Sequence, residues 1–258
     1  MKEQQIADSL YKARKHHNSI SPISTMIGET DLELAYKIQD INTQRRINEG
    51  ARITGKKIGL TSTVVQKQLG VDQPDYGILF HDMEVLNGAS LSMKEMDQPK
   101  VEAELAFFLS KDLDKENLTA VDVLDAIAFA LPAIEIVGSR VADWKIKITD
   151  TIADNASASH YVIGHTQLPL TNFDVVGTQM ELFINGNIVS KGTGAACLGS
   201  PINATLWLAQ KMMSLGNPLR SGELIFSGAL GPMAEVSAND QVEVIFDGKY
   251  AVNVNFTD

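Results

Sequence analysis

The chain has 258 residues, 44% apolar and 21% charged; this suits one large domain, or a core with a small appendage, and excludes disorder, collagen and coiled coil. Twenty-two Lys and Arg stand against 32 Asp and Glu, and the net charge of −10 excludes a surface built for nucleic-acid phosphates or anionic membrane. With one cysteine (Cys197), no long apolar run and a polar stretch from Met1 to Lys12, a disulfide framework, a membrane span and a signal peptide are all unexpected, so the expectation is a soluble cytoplasmic protein.

Residues 1–50 read as a helical N-terminal region. Thr30 and Glu33 have the spacing of a capping box, Leu34, Ile38 and Ile41 follow helical spacing, and Gly50 supplies a stop. From residue 51 the pattern turns to strands. Arg52–Leu60 reads as a strand interrupted at Gly55, and Ser62–Leu69 as a short helix closed by Gly70. In Lys100–Leu109, Val101, Ala103, Leu105, Phe107 and Leu109 alternate onto one face. A helix is predicted from Thr119 to Ala130, started by Thr119 and Asp122 and ended by Pro132, with an apolar strand over Ala133–Val137. Asn185-Gly186 joins Leu182–Ile184 to Asn187–Val189 as a hairpin, and Asp247-Gly248 does the same between Val242–Phe246 and Tyr250–Phe256. Between them Ser200 caps a helix with Pro201 in its first position, an apolar body to Leu215 and Gly216 as stop. Many strands with few intervening helices give an α+β class with a mixed β core rather than a doubly wound sheet.

The strongest chemical signal is Glu102-x-Glu104. Both carboxylates lie on the strand face opposite Val101, Ala103 and Leu105, and their neighbours on that face, Ala106 and Phe108, are apolar. Glu135 repeats the anomaly inside Pro132–Val137. Like charges on a half-buried face repel, and an unpaired buried carboxylate is costly. One divalent cation shared by Glu102, Glu104 and Glu135 resolves the conflict, and an all-oxygen set favours Mg²⁺ or Mn²⁺. The alternative is two edge-strand glutamates facing water and a third paired with a basic side chain. A second candidate is Gly55–Ser62, where glycines flank Lys56 and Lys57 and a helix start at Thr61 and Ser62 suits an anion; a surface turn with two solvated lysines is the competing reading. Ser227–Pro232 is a glycine-rich strand exit, a tight turn or a backbone lining a pocket.

Seven segments run in order along nearly the whole chain: Gly55–Ser62, Gln73–Gly77, Lys100–Phe107, Pro132–Glu135, Ala153–Ser157, Gly194–Pro201 and Ser227–Met233. Together they resemble the 2-keto-4-pentenoate hydratase and 4-oxalocrotonate decarboxylase family, within the fumarylacetoacetate hydrolase superfamily. The resemblance implies a mixed β-roll catalytic domain over 51–258 behind the small helical region 1–50, and a Mg²⁺ or Mn²⁺ ion on Glu102, Glu104 and Glu135. It implies small-molecule substrates, the 2-oxo or 2-hydroxy dienoates of aromatic meta-cleavage, and a homo-oligomer that can associate with a pathway decarboxylase or hydratase.

By the same resemblance Lys57 is the cationic or general-acid group, with Lys56 its rival on the opposite face. Asp75 is an acid/base or water-orienting group, and Ser157 binds substrate. The expected reaction is hydration of 2-hydroxypenta-2,4-dienoate to 4-hydroxy-2-oxopentanoate. Decarboxylation of 2-oxohex-3-enedioate is the alternative; a non-catalytic subunit or a 2-oxo acid carrier is a more distant one.

Overall fold

The computed structural model describes residues 2–62, 66–67 and 71–258; of the helix expected over Ser62–Leu69 only Ser62, Gln66 and Lys67 are among the described residues, and its stop at Gly70 lies outside them. Three helices come first, Lys2–His16, Ser24–Ile27 and Leu32–Asn48. The third is capped one residue later than the sequence suggests. Asp31, not Thr30, accepts from the Leu34 N–H at 3.1 Å, so Glu33 sits in the first turn as an acid rather than closing a capping box. A carboxylate cap satisfies a free N–H and also complements the helix dipole.

The strands are β1 (Ile53–Gly59), β2 (Asp75–Phe80), β3 (Glu84–Val85), β4 (Ser90–Ser92), β5 (Lys100–Leu109), β6 (Ile127–Val137), β7 (Ala158–Ile163), β8 (Gln179–Ile184), β9 (Asn187–Thr193), β10 (Leu224–Phe226), β11 (Ala234–Glu235), β12 (Gln241–Phe246) and β13 (Tyr250–Thr257). Eight of them form a curled, half-barrel sheet in the order β2-β1-β10-β5-β6-β7-β3, with β11 paired to β5. The other five run β4-β13-β12-β8-β9. Both sheets are mixed: β1–β10, β3–β7 and β4–β13 are parallel and the remaining pairs antiparallel. The expected α+β class with a mixed β core therefore holds. Both predicted hairpins form, and Asn185 (φ 52°) with Gly186 (φ 77°) supplies the left-handed pair that a type I′ turn needs. The Pro201–Ser214 helix starts as expected, with Ser200 accepting from the Ile202 N–H.

One expected element is cut short. The helix begins at the Thr119–Asp122 capping box but ends at Ala126, and Ile127–Ala130 belong to β6. Pro132 thus lies inside a strand instead of ending a helix. It is tolerated because it faces Leu105 of β5 while its own carbonyl accepts from Gly164, on the other side. The Leu105 carbonyl in turn points away to Ser227, so the missing proline N–H breaks no β5–β6 bond. Cross-strand pairing with β5 outweighs the local helical pattern of 127–130.

Val101, Ala103, Leu105, Phe107 and Leu109 are all sealed in the main core, as their alternation predicts. A smaller apolar cluster joins Ile6, Leu10, Ile27, Ala35 and Ile38 of the first helices to Ile148, Ile152 and Ala153 of the Ile148–Ala153 helix. Among the described residues no helix is long and apolar enough to cross a membrane.

Candidate active site and metal centre

β5 is an interior strand, so Glu102 and Glu104 are not edge residues facing water. Antiparallel register sets Glu102 directly opposite Glu135 on β6. Directly paired residues project to the same face, which brings the third carboxylate to the other two. One oxygen from each lies within 4.8 Å of the others. Glu104 and Glu135 are fully buried, while Glu102 keeps partial access.

Burial and mutual repulsion are visible in the acidities. Burial first, then Glu135, pushes Glu102 up to about 7. Burial, Glu135 and Glu102 raise Glu104 well above the usual carboxylate range. Glu104 gains one donor, the Gly228 N–H at 2.8 Å from Oε2. Its Oε1 and both oxygens of Glu135 are buried and accept no hydrogen bond. Buried carboxylate oxygens without donors are rare because each forfeits its hydration. A hard divalent cation fits this donor set, since it would coordinate the orphaned oxygens and cancel the repulsion.

The lysines separate cleanly. Lys57 turns to the same face as the carboxylates, buried, 3.2 Å from Glu135 Oε2, and donates to the Ala156 carbonyl at 3.0 Å. Burial alone would lower its pKa; Glu135, Asp75, Glu102 and Glu104 more than offset this and hold the ammonium above the ordinary lysine range. Lys56 points the other way and pairs with Glu223 at 2.7 Å. Neither is solvated, and Gly55–Ser62 is not a surface turn. Its glycines serve close packing: a Cβ on Gly55 would stand 1.9 Å from the Leu224 carbonyl oxygen, and one on Gly59 would stand 2.1 Å from Asp75 Oδ1. Gly55 is therefore no anion cradle.

Asp75 begins β2 opposite Gly59 and is buried beside Lys57. Burial raises it, Lys57 pulls it back, and the balance is about 6. Ser157 is buried just before β7, with its Oγ 3.0 Å from Thr151 Oγ1. The structure thus brings together Lys57, Asp75, Glu102, Glu104 and Glu135, and sends Lys56 elsewhere. Ser227–Pro232 does line the site, through the Gly228 N–H. Gly228 must be glycine there: its φ is 100°, and a Cβ would meet Thr61 Oγ1 at 2.4 Å. Sequence reading missed Gly228 and the Ala156 carbonyl as site groups. The glycine-rich exit was the only signal for the first, and a backbone carbonyl leaves none.

Residues 57–255 match the family described as fumarylacetoacetate (FAA) hydrolase C-terminal. A protein of Pseudomonas putida called TodF product hydratase is 52% identical over 250 residues, 97% of this chain and 93% of that protein. A 2-keto-4-pentenoate hydratase of Paraburkholderia xenovorans is 49% identical, covering 98% of this chain and 94% of its own. Among solved structures, 4-oxalocrotonate decarboxylase from Pseudomonas putida G7, complexed with magnesium and adipate, superposes with a TM-score of 0.95 at 27% identity, over 99% of this chain and 97% of that one.

Proposed function

As the chain belongs to the fumarylacetoacetate hydrolase family, we propose that it is a metal-dependent hydro-lyase that hydrates 2-hydroxypenta-2,4-dienoate to 4-hydroxy-2-oxopentanoate in aromatic meta-cleavage catabolism. The observation that carries the reading is the buried carboxylate triad with its orphaned oxygens, set against a buried Lys57 and Asp75.

Glu102, Glu104 and Glu135 would hold the ion, read here as Mg²⁺ or Mn²⁺. When bound it supplies Lewis acidity toward the C2 oxygen and charge for the C1 carboxylate. The protein must then move a proton twice. The dienol gains one at C5 and loses the one on its C2 oxygen, giving the α,β-unsaturated ketone; water adds at C4 as C3 takes up a proton. Asp75 suits the proton carrier, because a carboxyl near 6 both holds and releases a proton at neutral pH. Lys57 stays charged beside it and stabilises the negative charge that develops on the conjugated oxygen. Ser157 is read as a donor to the substrate carboxylate. Burial of these groups excludes bulk water, which strengthens each of these interactions.

The same reading has the enzyme working in the cytoplasm as a homo-oligomer, able to associate with a pathway decarboxylase. The exposed Val121 and Leu124 on one helix offer apolar surface for assembly. The greater sequence identity to the hydratases favours hydration over decarboxylation. The test is metal-stripped protein with freshly generated 2-hydroxypenta-2,4-dienoate, with and without Mg²⁺ or Mn²⁺, following dienoate absorbance and identifying the product. Metal-dependent 4-hydroxy-2-oxopentanoate is the expected result. No turnover, with CO₂ released from 2-oxohex-3-enedioate instead, would overturn the hydratase reading.

A further inference from the structure

The chain between the Ile148–Ala153 helix and β7 turns the wrong way for L-amino acids. Asn155, Ala156 and Ser157 have φ of 56°, 49° and 59°. The Ser157 N–H donates to the Asp154 carbonyl and the Ala158 N–H to that of Asn155, so the three residues make one left-handed turn. Each L-residue there costs about 1–2 kcal/mol, because its Cβ crowds the following carbonyl. Asn tolerates the region; Ala and Ser do not, and no glycine relieves them. Such a turn persists only where its surroundings over-determine it.

Arg140 supplies most of that constraint. Its backbone N–H and Nε reach the two carboxylate oxygens of Asp154 at 2.9 and 2.6 Å. One terminal nitrogen donates to the Asp154 carbonyl at 2.8 Å and reaches the Ala158 carbonyl at 3.4 Å, so a single guanidinium grips both ends of the turn. Arg140 and Asp154 are only 3% and 7% exposed, and charge-assisted bonds of this kind are strong and directional. The middle is held separately. The Asn155 side chain accepts from the Ile78 N–H and donates to its carbonyl, and Gly77 leaves room where a Cβ would stand 2.4 Å from the Asn155 carbonyl oxygen. What the turn delivers is the Ala156 carbonyl, 3.0 Å from Lys57 Nζ. A right-handed or extended Ala156 would carry that oxygen away.

We propose that the buried Arg140–Asp154 pair is a positioning device for Lys57: it holds the left-handed turn 155–157 in place so that the Ala156 carbonyl fixes the ammonium beside Glu135 and Asp75. The proposal rests on the reading of Lys57 as the site's cation. Arg140 and Asp154 are positioning residues, acting on Lys57 only through the backbone of the turn.

The test uses Asp154→Asn, with Arg140→Lys as a second variant should the first fail to fold, and circular dichroism to establish folding. In metal-free protein with ¹⁵N-labelled lysine, a buried hydrogen-bonded ammonium gives a protected ¹H–¹⁵N signal, identified as Lys57 by its loss in Lys57→Met. That signal is expected to broaden or vanish in the folded variant. With Mg²⁺ and the dienoate, kcat is expected to fall about tenfold or more while KM and calorimetric Mg²⁺ affinity stay within about twofold. Adding Ala156→Gly to either variant removes the strain that the pair opposes, and should recover both the signal and most of kcat. An unchanged Lys57 signal in the folded variant, or no recovery with Ala156→Gly, would overturn the proposal. Absence of dienoate turnover in the wild type would overturn the hydratase reading instead, and leaves the spectroscopic test intact.

Discussion

Adjacent residues on a strand point to opposite faces, and that alone separates Lys56 from Lys57. Lys57 meets Glu135 and the Ala156 carbonyl, whereas Lys56 meets Glu223 behind the sheet. Lys57→Met should therefore lower kcat by about 10²–10⁴, the usual weight of a positioned acid or charge, with the fold intact by circular dichroism. Lys56→Met should keep kcat and cost about 1–3 kcal/mol in urea unfolding, by leaving Glu223 without its cation. The triad makes a pH prediction as well. Without metal, Glu102 titrates about 7 because of burial and Glu135, above its ordinary 4.5. The folded apoprotein then binds more protons than the unfolded chain between those values, so Glu102 contributes stability at low pH that is lost as pH rises toward 7. A divalent cation competes with those protons. Its affinity should rise with pH as Glu102 and Glu104 lose their protons, and the Mg²⁺-induced increase in Tm should follow; a pH-independent Mg²⁺ affinity from 5.5 to 8 would exclude the triad as its site.

At the level of elements, the β5–β6 pair is the structural basis of the metal centre. Its register places Glu102 against Glu135, and a one-residue slip would turn Glu135 to the opposite face. That register also decides the end of the preceding helix, because Ile127–Ala130 gain more by pairing with β5 than by extending a short helix. The ends of helices were more legible than their lengths. Thr119 with Asp122 and Ser200 with Pro201 cap as their residue types demand, but Asp31 displaced Thr30 because both are good caps and only the chain path chose between them. Asp31→Ala should cost about 1 kcal/mol of stability and leave kcat unchanged, checked by urea unfolding beside steady-state kinetics.

Across the whole molecule, the N-terminal helices brace the strand and turn that carry the chemistry. Gln39 donates from one amide nitrogen to the Tyr76 carbonyl, next to Asp75, and to the Ile152 carbonyl, just before the left-handed turn, both at 2.9 Å. The apolar cluster around Ile38, Ile148 and Ile152 closes the same junction. Gln39→Leu leaves the buried Tyr76 carbonyl without that donor, while the Ile152 carbonyl keeps the Asp154 N–H, and should cost about 1–3 kcal/mol, a fall in Tm of several degrees. Because the brace meets β2 beside Asp75, kcat should fall as well; a lower Tm with unaltered kcat would confine the helices to a structural role.

Much of this protein is written locally. Period-two alternation by itself determined β5 and put Glu102 and Glu104 on one face, Asn-Gly and Asp-Gly determined the hairpins, and an isolated Glu135 in an apolar run announced that something must compensate it. Those are properties of neighbours along the chain, where backbone geometry fixes which side chains share a face. Only the tertiary structure decided that Glu135 faces Glu102, that Lys57 rather than Lys56 enters the site, that Gly228 donates to Glu104, and that Arg140 pairs with Asp154, 14 residues away, to grip a left-handed turn. The reason is physical: those choices depend on strand register and long-range packing, whose energies belong to pairs of distant segments and leave no period in either one.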